Sequence, residues 1–150
     1  MKMLTLARAI GTSALCLAAL GTSADAVIGG AAPAFTLTDS TGKTQSLSQY
    51  KGKWVVLEWV NYDCPFVQKH YNSNNMQSLQ KDATAKGVVW LSVNSTNKSA
   101  TDYLEPTKLN AKMNGEWKGA SSYLLMDETG KAGMAYEAMN NAGALRSRLI

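Results

Sequence analysis

Three short, nearly unbroken apolar runs organise the chain: residues 54–60, 88–93 and 122–127. Their length and lack of alternation predict strands buried on both faces, the pattern of a parallel sheet. Between the first two, Phe66, Val67, His70, Tyr71, Met76, Leu79 and Ala83 recur at helical spacing. They predict a helix from Pro65 to about residue 86 with an apolar face. Asn72-Ser73-Asn74-Asn75 is poor helix material and predicts a kink there, and Gly87 supplies the stop. Ser99, with Asp102 three residues on, predicts the capped start of another helix that is interrupted at Pro106 and runs toward Met113. Residues 132–139 predict a last short helix. In front of the first run, residues 31–38 and 44–47 read as two strands joined by the turn chemistry of Asp39-Ser40-Thr41-Gly42-Lys43. Strands alternating with helices behind a small hairpin predict an α/β fold with a central, mostly parallel sheet.

The two ends of the chain read differently. Lys2 and Arg8 precede a short apolar stretch at residues 9–20, and Ala24-Asp25-Ala26 offers a cleavage site, so residues 1–26 are expected to be a secretory signal peptide. The stretch is short for a membrane span, although an uncleaved anchor is the competing reading. Leu15 ahead of Cys16 argues against a lipid anchor. Cleavage would export the protein to the periplasm or beyond, with no stable membrane anchor, and would take the net charge from +4 to about +3. The positive residues are scattered rather than striped among aromatics, which gives nucleic-acid binding little support.

Cleavage would also remove Cys16 and leave Cys64 alone. A lone thiol in an exported protein is buried, reactive or joined to another molecule. Cys64 stands where the first apolar run gives way to a helix opened by Pro65, whose missing N–H costs nothing at the first helical position. Unpaired N–H groups and the positive end of the helix dipole favour thiolate at such a place, and thiolate is the reactive species. An ordinary small buried cysteine is the bland alternative. His70 is a weak catalytic candidate, since six residues put it more than a turn away on another side of the helix. Asp63 and Glu58 are candidates to move a proton at Cys64, with helix-end charge complementarity the plainer role for Asp63. Trp59 and Tyr62 would line a groove or pack in the core. One cysteine and one histidine fall short of a zinc set, so no metal and no cofactor is called for.

These residues carry a resemblance. Asn61-Tyr62-Asp63-Cys64-Pro65-Phe66-Val67-Gln68-Lys69-His70-Tyr71 resembles the site of thioredoxin-fold redoxins in the alkyl hydroperoxide reductase and thiol-specific antioxidant group. Gly30-Ala31-Ala32-Pro33-Ala34-Phe35-Thr36-Leu37 with Gly42 and Leu47 is similar to the start of such domains. Leu125-Met126-Asp127-Glu128-Thr129-Gly130-Lys131 with Ala135-Tyr136 is similar to their later part. The resemblance implies a thioredoxin-like fold over residues 27–138 and a Cys64 nucleophile acting on a peroxide, a small thiol or a disulfide-bearing client. An external thiol would serve as reductant.

Three departures qualify it. Val67 stands where a thioredoxin has its second cysteine, so no internal dithiol cycle is available at this motif. Asn61 and Leu57 stand where a peroxiredoxin has its hydroxyl residue and its proline; the Asn61 amide is then a candidate hydrogen-bond donor to substrate. The fold normally continues into a cis-proline loop, a β-hairpin and a helix, which residues 139–150 do not supply. The expectation is therefore a domain lacking those parts and ending in a divergent tail. A frameshift at the codons of Asn140-Asn141-Ala142-Gly143 would account for it, because AAC AAC GCC read one base on gives Thr-Thr-Pro; sequencing the gene decides this. Two functions stay open: a thiol-dependent oxidoreductase, or a non-catalytic thioredoxin-fold module that binds partners.

Overall fold

The computed structural model describes residues 25–138. The expected signal peptide, apart from its last two residues, and the expected tail at 139–150 lie outside the described residues. The described chain runs β1 (Thr36–Asp39), β2 (Thr44–Ser46), a 3-10 turn (Leu47–Tyr50), β3 (Val55–Trp59), α1 (Pro65–Asn72), α2 (Asn75–Ala85) and β4 (Val89–Asn94). It continues through α3 (Pro106–Asn110), prolonged by a π-helical stretch at Ala111–Glu116, then β5 (Tyr123–Met126) and α4 (Lys131–Ala135). One five-stranded sheet holds the strands in the order β2-β1-β5-β4-β3. β3, β4 and β5 are parallel, with Val55 opposite Val89 and Leu91 opposite Tyr123, while the N-terminal hairpin joins antiparallel along β5. This is the α/β architecture with a mostly parallel core that the alternation of runs predicted, and it is thioredoxin-like, as the resemblance implied.

Side-chain alternation along the strands divides the core between the two faces of the sheet. Val60, Tyr71, Leu109, Met113, Leu124 and Met126 cluster under α1, α2 and α3. Tyr50, Val89, Leu91, Val93 and Leu125 form the opposite cluster, joined by Phe35, Leu37, Leu57 and Trp59.

Four expectations need correction. The run at 54–60 is not buried on both faces: among the described residues β3 has β4 on one side only, every residue from Val55 to Trp59 is half-buried, and Trp54 is 85% exposed. An apolar run reports burial against neighbours and says nothing of how many strands flank it. The helix expected to start at Ser99 begins instead at Pro106, with Glu105 at its N-cap. A residue before proline is disfavoured in the α region, so Glu105 takes extended angles and the 95–105 segment stays a loop. The apolar face expected at 66–83 is also only partly right. Val67, Tyr71 and Met76 pack inward, but Phe66 and Leu79 are exposed and Gln77 and Gln80 are buried in their place. The kink is there: Asn74 takes a left-handed φ of 58° and separates α1 from α2. The last helix stops at Ala135, short of the 139 expected.

The hairpin turn is held by one buried carboxylate. Asp39 Oδ1 accepts from the Thr41 and Lys43 amides and the Thr41 hydroxyl, and Oδ2 accepts from Gln45 Nε2. Burial alone would push its pKa up. The hydrogen bonds from Thr41, Gln45 and Lys43 outweigh it and bring the value down from 3.8 to about 2. A lowered folded-state value stabilises the fold above pH 3.8, and the benefit is lost as pH falls toward 2. We therefore expect Asp39→Asn to cost about 2 kcal/mol at neutral pH and to flatten the acid limb of the stability curve between about pH 4 and 2. Urea titrations of the two proteins across that range measure this, and parallel acid limbs would count against it.

Candidate active site

β3 delivers the chain to the C-terminal edge of the parallel strands, the edge at which open α/β sheets usually bind ligands. Val60 continues the strand by donating its amide to the Val93 carbonyl. Asn61 then turns the chain: its Oδ1 accepts the Asp63 amide at 2.7 Å, and its carbonyl accepts the Cys64 amide at 3.1 Å. Cys64 is the N-cap of α1, in extended conformation with φ −74° and ψ 120°, and Pro65 occupies the first turn. Its carbonyl accepts the Gln68 amide at 2.9 Å, the first bond of the helix. The amides of Phe66 and Val67 precede that bond and have no partner inside the helix. The Cys64 thiol makes no capping bond, is free of any disulfide and is half-buried. Two residues on, in the first turn of α1, Phe66 is 72% exposed.

Beneath the site lies a polar network that the apolar patterning did not reveal. Glu58, on the helix-covered face of β3, accepts four side-chain bonds. Tyr71 O–H donates to Oε1 at 3.0 Å; Gln80 Nε2, Trp90 Nε1 and Ser92 Oγ donate to Oε2 at 2.8–3.0 Å. Gln80 also donates to the Tyr71 oxygen and accepts the Ala120 amide. Burial, and after it the charge of Glu58, raise the Tyr71 phenol well above its ordinary value, so it remains a donor. The carboxylate thus joins the strand that leads to Cys64 to the helix that Cys64 caps. Its partners lie 13 to 34 residues away in sequence, and only the isolated acid within an apolar run signalled it.

The remaining candidates separate. Asp63 is exposed at the turn, and no acidic side chain lies in the first turn of α1. His70 is exposed and bonded to Asn75 at 3.0 Å. Trp59 donates to Ser95 Oγ and packs against Tyr136 in a tilted pair, with ring centroids 5.6 Å apart, and Tyr62 packs on the helix-side core. Both are thus engaged in packing. Asn61 donates through Nδ2 to Asp102 Oδ2 at 2.6 Å and to Thr96 Oγ1 at 3.2 Å. No group of three or more potential metal ligands occurs among the described residues, and none of their helices is long and apolar enough to cross a membrane.

A cysteine capping the helix that follows a parallel strand, with a hairpin in front, defines a thioredoxin-like thiol protein. The model of the AhpC/TSA family matches residues 28–150, and the chain belongs to that family. No curated protein matches it. Among solved structures, it is similar to an uncharacterized conserved protein from Geobacillus kaustophilus, with 27% identity and a TM-score of 0.61 over 71% of this chain and 55% of that one. The chain thus spans about half the length of that relative. It is also similar in fold to the thioredoxin domain of a thiol-disulfide oxidoreductase from Bacteroides vulgatus, with 22% identity and a TM-score of 0.54 over 75% of each chain. A secreted disulfide oxidoreductase from Mycobacterium tuberculosis has 18% identity and a TM-score of 0.54 over 71% of this chain and 70% of that one.

Proposed function

We propose that this protein is an exported thiol-dependent oxidoreductase whose nucleophile is Cys64. The observation that carries the reading is the placement of a free, half-buried thiol as N-cap of α1, making no capping bond, at a helix start whose first amides have no helical partners. Neighbours described as thiol-disulfide and secreted disulfide oxidoreductases support both the redox class and the export.

Two reactions fit one thiol. With a hydroperoxide, the thiolate sulfur attacks the outer oxygen, the O–O bond breaks, and the alkoxide leaves and takes up a proton. Cys64 is left as sulfenic acid. An external thiol then condenses with it, releasing water, and a second thiol cleaves the mixed disulfide to restore Cys64. With a disulfide-bearing client, the thiolate attacks one sulfur and releases the other as a thiolate, and an external thiol resolves the mixed disulfide. Val67 at the place of a second cysteine assigns the resolving thiol to another molecule in both cases.

Intact mass after brief exposure to dilute hydrogen peroxide, with a sulfenic-acid trap, tests this. We expect rapid trapped oxidation at Cys64 that is absent in Cys64→Ser. Oxidation no faster than that of a free cysteine at the same pH would favour a binding module instead.

A further inference from the structure

Asn61 and Asp102 lie 41 residues apart, yet they form the shorter of the two side-chain bonds that Asn61 Nδ2 donates. The carboxamide uses both of its donors and one of its acceptor sites. Oδ1 closes the turn at Asp63, and Nδ2 spans to Asp102 at 2.6 Å and Thr96 at 3.2 Å. Thr96 is in turn held by Asn94, whose Nδ2 donates to both Thr96 Oγ1 and the Val60 carbonyl. Asn94 ends β4 and Val60 follows β3, so the anchor of this chain of bonds is the sheet itself. Its free end is the turn that carries Cys64. Backbone bonds on the far side of Cys64 belong to α1, so the Asn61 carboxamide is the side chain of the turn that ties it by hydrogen bonds to the 95–105 loop.

We propose that Asn61 is a positioning residue. Its carboxamide clasps the Cys64 turn to Asp102 and Thr96, and this makes the 95–105 loop a working part of the thiol site. The inference rests on the reading of Cys64 as a reactive thiol. An amide whose donors are both engaged this way sets the geometry of the sulfur and does not bind the substrate.

The pairing predicts its own rescue. In Asn61→Asp two carboxylates face each other and the clasp opens. In the double variant Asn61→Asp/Asp102→Asn the bond reforms with donor and acceptor exchanged, while the Asp63 amide keeps an acceptor. Second-order rates of Cys64 with hydrogen peroxide and with iodoacetamide are measured in the full chain over pH 5–10. They are compared on the plateau where the thiol is fully ionised, so that a charge moved nearer the sulfur does not enter. Thermal midpoints are recorded for every variant.

We expect the plateau peroxide rate to fall about tenfold in Asn61→Ala and Asn61→Asp and to recover to within about twofold in the double variant, with the single variants still folded. A reactive wild type whose plateau rate is unchanged in both single variants overturns the clasp and leaves the Cys64 reading standing. Slow single variants with no recovery in an equally stable double variant overturn the Asn61–Asp102 pairing. A wild-type Cys64 no faster than free cysteine overturns the functional reading, and the positioning role with it.

Discussion

Glu58→Ala is expected to lower the unfolding free energy by about 3–5 kcal/mol, the largest single-residue loss predicted for the described residues. Four donors converge on this carboxylate, and three belong to residues at most 2% exposed: Tyr71, Gln80 and Ser92. Removing the acceptor strands the Tyr71 and Ser92 hydroxyls where water does not reach and leaves Gln80 only its bond to the Tyr71 oxygen, and each stranded donor costs its desolvation penalty. Those penalties, rather than the worth of the bonds, set the size of the effect. Glu58→Gln is expected to cost less, about 1–3 kcal/mol, because it keeps the volume and one accepting oxygen but sets an NH2 group against the donors on the other side. Denaturant titration monitored by tryptophan fluorescence checks both. A Glu58→Ala loss below about 1 kcal/mol, with an unchanged denaturant slope, would show that the network does not bear on stability.

Asp127→Ala is expected to cost about 2–4 kcal/mol and to disorder the last described helix. Asp127 is 1% exposed and does for α4 what a capping side chain ordinarily does, because Gly130 at the N-cap has no side chain to offer. Its Oδ2 accepts the Gly133 amide at 2.9 Å and the Ser95 hydroxyl at 2.7 Å, and Oδ1 accepts the Ala132 amide at 3.3 Å. α4 is only five residues long and cannot sustain itself. Its C-cap, Tyr136, rests on Trp59 and Phe35 and donates to the Pro33 carbonyl. Loss of the cap should therefore appear as a changed Trp59 environment in fluorescence and as faster proteolysis after Lys131. Native emission together with native stability would count against the capping role.

How far the sequence carried the fold depended on the range of each interaction. Strand and helix order came from local patterns: the apolar runs, Gly42 and Gly87, and the Asn72–Asn75 break all report on their neighbours in the chain. Cys64 and Pro65 were legible for the same reason, since an N-cap is defined by adjacent residues. What escaped was carried by pairs distant in sequence. Asn61 stood out by its place before Cys64, which suggested a substrate donor, but nothing near it pointed to Asp102. Ser99 and Asp102 had the spacing of a helix start, and Pro106 outweighed it. Glu58 was visible as an acid within an apolar run, while Tyr71, Gln80, Trp90 and Ser92 each had an innocuous local reading. Burial of Gln77 and Gln80 in place of Leu79 shows the same limit: a polar network can claim the inward face of a helix that hydropathy assigns to leucine.

The left-handed Asn74 has a consequence for how the molecule breathes. It ends α1 after eight residues, a length at which an isolated helix in water is marginal. What keeps α1 in place is mainly Tyr71, whose ring stacks on Trp117 at 5.0 Å, whose hydroxyl meets Glu58 and whose carbonyl takes Gln77. The break interrupts the backbone ladder, leaving α1 tied to α2 by the side-chain bonds of Asn75, Gln77 and Gln80, so we expect α1 to open without the sheet coming apart. In amide exchange that opening would form a unit separate from β4 and β5. The depth of protection around Cys64 would then follow the grip on a single tyrosine rather than the stability of the whole domain.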